Sequence, residues 1–461
     1  MTATMRSLSR GTVARYATGS IGTGGFATLP GLVLVFYLTD TLGVGALAAG
    51  AVITAAKVWD VLIDPVIGRA SDRALAARGS RRGLMVIGAL ALPVFFVATF
   101  AVPAGLPPAA SALWVFVAFL ATATAFSLFQ VPYIALPAEI GRGYDDRTRL
   151  LTWRVVVLSV AILAFGAGGP MLRDLGGDEY GGYLTMGLVA GVVIAAGLLV
   201  ASTTAPRGVV VPPDADTPRV RDAYRAGIAA LRRSQSFRAL LGAFLLQGLA
   251  TGLMLAGANY VAVWVLKDDA ALTFLFVALI GPAILGAPVW GVIARRIGKE
   301  RAFVIASALF AVACLLLVGL LWSPGGWVYA PVALAGVAYA GMQSLPMAML
   351  PDVIAVDAAE NGDGQAGIFG GVWTAGETTG MALGATLLTI VLAVTGYTAS
   401  VAGEVSVQSS EAVTGIALAF SLIPALLVVT SIAVMNRYRL RRADIEGADA
   451  APVGVGGADD A

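Results

Sequence analysis

Long apolar stretches, each bounded by polar or charged residues, follow one another along almost the whole chain. A run of about 20 apolar residues is long enough to cross the hydrocarbon core of a bilayer as an α-helix. The pattern therefore predicts twelve membrane-spanning helices. They cover residues 16–39, 46–70, 84–103, 110–138, 150–172, 181–202, 237–265, 271–293, 302–322, 327–350, 367–396 and 411–435.

The longest polar stretch, residues 203–236, is rich in Pro and Arg and lies between the sixth and seventh apolar runs. It divides the chain into an N-terminal six-helix bundle (1–202) and a C-terminal six-helix bundle (237–435), joined by a cytoplasmic linker. The tail, 436–461, is rich in Gly, Ala and Asp, and we expect it to be disordered. The expected fold class is an all-α membrane protein.

Composition excludes several function classes. Of the 461 residues 58% are apolar and only 13% are charged, which is typical of a polytopic membrane protein and not of a soluble one. The chain has no His and a single Cys, Cys314, so it has no His metal site and no internal disulfide. It shows no catalytic Ser or Cys arrangement and no phosphate-binding loop. We expect a monomer with no enzymatic activity, no cofactor and no nucleic-acid partner.

Basic residues are distributed unevenly between the loops. If the N-terminus is cytoplasmic, 27 of the 30 Lys and Arg residues fall in termini and loops on that side. Arg173 and Lys267 fall on the other side, and Lys57 lies within the second helix. Because cytoplasmic loops of membrane proteins are enriched in Lys and Arg, both termini are predicted to be cytoplasmic, in the cell membrane.

The second apolar run contains three charges, Lys57, Asp60 and Asp64. Charges inside a membrane helix are costly and usually face a protein interior or a water-filled path, where they mark function. Residues four apart share one helix face, so the two carboxylates lie one turn apart, with Lys57 on the same side. Paired carboxylates can hold a small hard cation such as Na⁺, or share a proton. The alternative is a Lys57–Asp60 ion pair that only holds helices together.

Two motifs in this region resemble known patterns. Residues 68–82 resemble the G-x-x-x-D-R-x-x-x-R-R loop of the major facilitator superfamily. Residues 59–65 have the pattern Trp-Asp-x-x-x-Asp-Pro, which is similar to the second helix of the glycoside-pentoside-hexuronide:cation symporters, the melibiose permease family. The resemblance implies the major facilitator fold and symport of a sugar-like solute with Na⁺ or H⁺. It also implies that Asp60 and Asp64 are the cation ligands.

The resemblance extends to the fourth and first helices, with departures. The Pro-Tyr pair that includes Tyr133 is a family feature, whereas Gln130 and Ile134 replace an Asp and a sugar-stacking Trp of melibiose permeases. Gln130 remains a candidate cation ligand, with a simple helix–helix hydrogen bond as the alternative. Thr23 and Gly24 stand where those permeases have a Lys-Asp pair, of which the Asp helps to hold the sugar. Thr23, Tyr133 and Ile134 are therefore candidate substrate-cavity residues.

Two further helices carry cavity candidates. Arg154 lies one turn into the fifth helix, where the family has an Arg close to the substrate and the inner gate. The eleventh helix carries Trp373 and Glu377, and it has Thr378 where the family has an intramembrane Lys. Glu377 is a functional candidate because acidic residues in membrane helices usually are. The alternative is an ion pair with a base on a neighbouring helix.

Charged residues at the predicted cytoplasmic ends are candidates for a gate. In the N-terminal half they are Asp72 and Arg73, after the second helix, and Arg147, before the fifth. In the C-terminal half, Asp352 and Asp357 belong to a short acidic motif after the tenth helix, which resembles one in the family. We expect a charge lock across this face in one state of the transport cycle. Ordinary solvated loops are the alternative.

Three other functions remain open at this point. The missing Asp and Trp leave room for an amphipathic, lipid-like solute, since the wider family includes a sodium-coupled lysolipid branch. Outward transport of a drug-like solute against a proton gradient is a second alternative. A sensor that kept the fold without transporting is a third, although the intact acidic residues of the second helix argue against it.

Overall fold

The structure, a computed structural model, describes residues 8–140, 144–208, 228–229, 231–268, 270–361, 366–403 and 407–440. Within these residues, twelve helices are long and apolar enough to cross a membrane, which confirms the predicted fold class. We number them α1–α12 in chain order. They are Arg10–Thr41, Ala46–Arg78, Arg82–Phe100, Pro108–Pro137, Arg149–Arg173, Glu179–Ser202, Gln235–Leu266, Ala271–Ile297, Lys299–Leu321, Gly326–Asp357, Phe369–Val394 and Ser410–Met435.

Several helices begin at a residue whose side chain caps the first turn. The side chains of Asp178, Ser234 and Ser409 accept hydrogen bonds from backbone amides at the starts of α6, α7 and α12. Each cap satisfies an amide that has no partner inside the helix, and such caps contribute about 1 kcal/mol each. The polar residue before each of these apolar runs therefore fixes where the helix starts.

Two helices are longer than their apolar runs predict. The second was expected to end near residue 70, but α2 continues through Asp72 and Arg73 to Arg78. It stops at Gly79, whose backbone adopts the left-handed conformation. The tenth continues to Asp357, so Asp352 and Asp357 lie on helix α10 and not in a loop after it. Hydropathy detects only the part of a helix inside the bilayer, whereas polar residues extend these helices into water.

The first helix of each half ends in a π-helical turn. In α1 this turn covers Tyr37–Thr41, and in α7 it covers Val261–Leu266. The two helices occupy equivalent places in the two six-helix halves, so the turn recurs in both. π-helical segments are rare and frequently lie at functional sites.

Helices α1–α6 form one bundle and α7–α12 the other, although most of the predicted linker (203–236) and tail (436–461) lie outside the described residues. Across the boundary, hydroxyl contacts join α1 to α7, α2 to α11 and α5 to α8. They are Thr39–Tyr260 (2.6 Å), Thr54–Thr386 (2.6 Å) and Thr273 to the carbonyl of Ala167 (3.4 Å).

These contacts all lie at the same end of the molecule. We name it the Asp40 end, after the residue at the end of α1. The opposite end, where α2 meets α3 and α8 meets α9, is named the Arg81 end. Two glycines near this end also allow the bundles to approach closely. A Cβ on Gly50 would be 2.1 Å from Thr389 Oγ1, and one on Gly166 would be 1.9 Å from the Phe276 ring. The two bundles thus pack closely against each other at the Asp40 end.

Candidate functional site

The three charges of α2 form a compact group, as their spacing predicts. Lys57 Nζ lies 3.1 Å from Asp60 Oδ2, and both side chains keep some exposure, 33% and 20%. Asp64 lies close enough for the charges of Asp60 and Lys57 to act on it. Neither Asp60 Oδ1 nor Asp64 Oδ1, both buried, has a hydrogen-bond partner among the described residues. The group therefore contains two carboxylates and one ammonium, which leaves a net charge of about −1.

Helix α4 supplies the neighbours of this group. Trp59 Nε1 donates to Thr124 Oγ1 at 2.9 Å, which fixes the rotation of α2 against α4. Ser127, one turn further along α4 and 4% exposed, lies beside Asp64. Sequence reasoning missed Ser127, although it precedes Gln130 by three residues and therefore shares its helix face. Its hydroxyl adds an oxygen that can bind a cation.

Gln130 accepts a hydrogen bond from the first helix. Thr23 Oγ1 donates to Gln130 Oε1 at 2.9 Å, so these two candidates are in direct contact between α1 and α4. The amide oxygen has a second lone pair for another donor or a cation. The structure therefore contains the helix–helix hydrogen bond weighed for Gln130, and a role as cation ligand stays a prediction.

Tyr133 is buried between helices in this structure, which corrects the expectation that it lines the substrate cavity. Its side chain is fully buried, stacks on Tyr16 with ring centroids 4.7 Å apart, and donates to the Tyr16 carbonyl at 2.9 Å. The Arg154 guanidinium lies over the Tyr133 ring at 5.3 Å. Packing on the glycine-rich first helix explains the burial, since a Cβ on Gly19 would lie 2.6 Å from the Tyr133 ring. Tyr133 thus positions Arg154 by a cation–π contact.

Arg154 and Glu377 face each other from opposite bundles. The charge of Arg154 on α5 acts on Glu377 on α11, although the two are not in ion-pair contact. Glu377 is half-buried, and its charge also acts on Tyr339 of α10, whose hydroxyl accepts from Gln343 Nε2 at 3.1 Å. The charges of Arg154 and Glu377 therefore interact across the boundary between the two halves.

The other two cavity candidates, Trp373 and Ile134, differ in how far their side chains are exposed. Trp373 is only 2% exposed and stacks on Phe244 at 4.5 Å within the C-terminal bundle, which corrects the expectation that it lines the cavity. A membrane helix has apolar residues all round, so its sequence does not reveal which aromatic ring faces inward. Ile134 is 50% exposed, and its role as a cavity-lining residue stays a prediction.

Of the gate candidates in the N-terminal half, Asp72 forms an ion pair inside its own bundle, with Arg81. Arg81 donates to Glu139 Oε1 at 2.5 Å and contacts Asp72 Oδ1 at 2.7 Å. Burial alone would lower the pKa of Arg81, but these two carboxylates raise it, so the guanidinium stays charged. Arg73 is exposed on the same turn as Asp72, and the side chain of Arg147 lies outside the described residues.

The C-terminal candidates also form ion pairs, Asp352 within its own bundle and Asp357 with a residue of the linker. Lys299 Nζ lies 2.6 Å from Asp352 Oδ2, and Arg233 lies 2.5 Å from Asp357 Oδ2. The ion pairs described at the Arg81 end therefore do not join the two bundles to each other. The expected charge lock between the bundles is not formed in this conformation by the side chains that the structure describes.

A buried carboxylate that sequence reasoning missed lies at the other end. Asp40 is 7% exposed and contacts Trp264 and Tyr397 of the C-terminal bundle. The signal in the sequence was a single Asp at the end of the first apolar run, where it looked like an ordinary boundary residue.

The chemistry of the α2 group suits a monovalent cation. Among the residues that the structure describes, no cluster of three or more His, Cys, Asp or Glu side chains is arranged to hold a metal ion. Divalent ions such as Ca²⁺ take six to eight oxygen ligands, usually with several carboxylates. Asp60 and Asp64, with Lys57 beside them, offer one net negative charge and a few oxygens, which fits Na⁺ or H⁺ better.

Comparison with known proteins identifies relatives over nearly the whole chain. The family model described as MFS/sugar transport protein matches residues 15–442. A glucuronide carrier protein homolog of Escherichia coli is 24% identical over 94% of this chain and 93% of its own length. The sodium-dependent lysophosphatidylcholine symporter 1 of Mus musculus is 26% identical over 70% of this chain and 66% of its own length.

Solved structures agree with the fold. The crystal structure of a D-xylose–proton symporter matches with a TM-score of 0.67 and 12% identity, over 95% of this chain and 98% of that one. The nucleoside transporter NupG matches with a TM-score of 0.66 and 13% identity, over 94% and 99% of the two chains. At this identity the likeness concerns the fold alone.

Proposed function

Because the chain belongs to the family of MFS/sugar transport proteins, which are secondary active transporters, we propose that Asp60 and Asp64 bind the cation that drives its transport. The observation that carries this proposal is the unbalanced charge of the α2 group. Lys57 contacts Asp60 only, and each carboxylate keeps a buried oxygen without a protein donor among the described residues. A cation bound there satisfies both oxygens and offsets the remaining charge.

Cation binding at this site explains how transport is coupled. An unpaired buried carboxylate strongly disfavours any state in which it is sealed from water. The cation removes that penalty, so the loaded protein can close around its solute and the empty protein resists closure. Coupling requires such a difference in stability between the two states. Lys57 is suited to stabilise Asp60 while the site is empty.

The direction in which the structure is open follows from the distribution of basic residues. The Arg81 end carries most of the Lys and Arg residues, which favours its location in the cytoplasm. The bundles contact each other at the Asp40 end. We therefore assign the described conformation as inward-facing, with its outer end closed and both termini cytoplasmic.

The solute that we propose is sugar-like. Relatives that match most of the chain include a glucuronide carrier homolog and a putative glycoside/cation symporter, both of Escherichia coli. The facing charges of Arg154 and Glu377, together with the Gln343–Tyr339 pair, provide the donors and acceptors that a hydroxyl-rich solute requires. Charged groups on both bundles let such a solute bring the two halves together.

The experiment that tests this function is accumulation of solute by the purified protein in proteoliposomes. Vesicles carrying an inward Na⁺ or H⁺ gradient are offered glucosides, galactosides, hexuronides and lysophosphatidylcholine in parallel. We expect one sugar class to accumulate only when the gradient is present. We also expect Asp60→Asn and Asp64→Asn to abolish accumulation while leaving the protein folded.

Glu411→Gln is the matched control, because Glu411 is an exposed carboxylate at the start of α12 and far from the α2 group in the chain. It should transport as the unmodified protein does. Accumulation that persists in both aspartate variants contradicts the cation site. If only the lysolipid accumulates, the proposed coupling mechanism still holds, but the solute is a lipid and not a sugar.

A further inference from the structure

Asp40 joins the two bundles at the closed end of the molecule. Its carboxylate lies in the π-helical turn of α1 and is 7% exposed. Oδ1 accepts from Trp264 Nε1 of α7 at 3.3 Å and from the hydroxyl of Tyr397, in the segment after α11. Oδ2 accepts from Thr39 Oγ1 at 2.5 Å. Two of these donors therefore come from the opposite bundle.

The direction of these hydrogen bonds follows from the number of protons available. Thr39 has one hydroxyl proton, and an ionised carboxylate can only accept. If Thr39 donates to Asp40, then Tyr260, whose hydroxyl lies 2.6 Å from Thr39 Oγ1, must donate to Thr39. A third C-terminal side chain thus directs its proton towards the same carboxylate. Such chains of hydrogen bonds strengthen one another in a water-poor interior.

Backbone pairing reinforces the junction. Residues Leu42 and Val401 form an isolated antiparallel bridge, so the segment after α1 pairs with the segment after α11. The amide of Ser400 donates to the Thr39 carbonyl at 2.9 Å, and the amide of Ala402 donates to the Thr41 carbonyl at 3.0 Å. This pairing holds the α1 end at a fixed register beside Tyr397.

The junction is built from the same element in both halves. Asp40 lies in the π-helical turn that ends α1, and Trp264 lies in the π-helical turn that ends α7. A π-helical turn rotates the following side chains relative to a regular helix. In this structure it brings Asp40 and Trp264, from equivalent ends of the two repeats, into contact across the boundary.

From this geometry we propose that Asp40 is the latch of the outer gate, and that its hydrogen bonds to Tyr397 and Trp264 must break whenever the transporter opens outward. The proposal rests on alternating access but not on the cation site of α2. In the closed state the carboxylate is satisfied by fixed donors, and in the open state water replaces them. Because water can replace the protein donors to Asp40, the latch is reversible. The number of protein donors to Asp40 sets the balance between inward-facing and outward-facing states.

Single substitutions should shift that balance without disturbing the bundles. Asp40→Asn replaces one acceptor oxygen by an amide that donates, so the side chain can no longer accept from both sides. Tyr397→Phe removes only the hydroxyl that bonds Asp40. Both changes weaken the closed outer gate more than the open one.

The test measures distances between spin labels by pulsed electron paramagnetic resonance on the full chain in lipid nanodiscs. Cys314→Ala removes the native thiol, which is fully buried. One pair of labels spans the bundles at the Asp40 end, through Leu175→Cys and Val407→Cys, which replace side chains that are 73% and 87% exposed. A second pair spans the Arg81 end, through Ala77→Cys and Ile297→Cys.

We expect Asp40→Asn and Tyr397→Phe each to raise the ratio of outward-open to closed protein about tenfold, which corresponds to about 1.4 kcal/mol. The distance at the Asp40 end should lengthen as the distance at the Arg81 end shortens. The double variant should shift the ratio less than the sum of the two changes, because both remove the same contact.

Glu411→Gln serves as the control for charge at the same end and should leave both distances unchanged. If Asp40→Asn does not yield folded protein, Tyr397→Phe together with Trp264→Phe carries the test. Unchanged distances in folded Tyr397→Phe and Trp264→Phe overturn the proposal. Measuring Na⁺ stabilisation of the same variants separates this result from the function proposed above, since a latch variant should still bind the cation.

Discussion

Lys57 Nζ lies 3.1 Å from Asp60 Oδ2, so the ammonium group pairs with the nearer of two carboxylates that are one helical turn apart. The ammonium also lies 5.8 Å from the Phe26 ring centroid. In the α2 group, an internal positive charge therefore lies beside the carboxylates that we propose to bind an external cation.

Removal of the competing charge should tighten cation binding. We expect Lys57→Met to lower the Na⁺ dissociation constant by about tenfold, because two unit charges about 4 Å apart interact by about 4 kcal/mol near a protein surface, and solvent screens much of this. Titration calorimetry in detergent measures the constant. Lys267→Met, in the loop between α7 and α8, is the control. Weaker Na⁺ binding in Lys57→Met would show that Lys57 supports the ion and does not compete with it.

A substitution at Glu377 should weaken solute transport without weakening cation binding. Glu377 faces Arg154 across the space between the bundles and is not part of the α2 group. We expect Glu377→Gln to reduce solute transport about tenfold, because a charged hydrogen bond contributes about 1.5–3 kcal/mol. Na⁺ binding should stay within a factor of about two of the unmodified value. An equal loss of both activities would place Glu377 in the cation site.

Close packing at the Asp40 end predicts a pair of contrasting glycine variants. A Cβ on Gly166 would meet the Phe276 ring at 1.9 Å, whereas a Cβ on Gly168, two residues further along α5, meets nothing within 4 Å. Overpacking costs about 1–3 kcal/mol, so Gly166→Ala should destabilise the closed outer gate and favour the outward-open state. Gly168→Ala should not. The accessibility of an engineered thiol at Thr54 to an impermeant maleimide added outside measures the difference.

The ion pairs of the Arg81 end predict an effect on stability. Arg81 and Glu139 are 11% and 13% exposed, and Arg81 also binds Asp72. Arg81→Gln leaves the Glu139 carboxylate buried without its cation, which should cost about 3 kcal/mol and lower the thermal unfolding temperature by several degrees. Arg78→Gln, at the exposed last turn of α2, is the matched control. Equal unfolding temperatures for the two variants would mean that the Arg81 pairs contribute no stability.

The helices and the α2 group could be predicted from the sequence because each depends on local pattern. Apolar length alone defines a membrane span, and the four-residue spacing of Asp60 and Asp64 places them on one face. The orientation of Tyr133 and Trp373 could not be predicted. Lipid is as apolar as the bundle interior, so hydropathy does not distinguish a residue facing lipid, the cavity or another helix.

Asp40 illustrates a second limit. Its partner Tyr397 lies 357 residues later in the chain, and the contact exists only because the ends of α1 and α11 meet at the Asp40 end of the folded protein. No local pattern carries that information. The gate candidates show a related limit, since Asp72, Asp352 and Asp357 were recognised as charged ends, but their partners depend on which state of the cycle the structure represents.

The measurement that tests the central claim most directly is the thermal stability of the purified protein in sodium, lithium and choline salts and across pH. A ligand that binds only the folded state stabilises it by about 2.7 kcal/mol at 100 times its dissociation constant. We predict that Na⁺ or protons stabilise the unmodified protein and the Glu411→Gln control. The stabilisation should vanish when Asp60→Asn and Asp64→Asn are combined. Identical ion and pH dependence in the unmodified protein and in that folded double variant would contradict the assignment of Asp60 and Asp64 as the cation site.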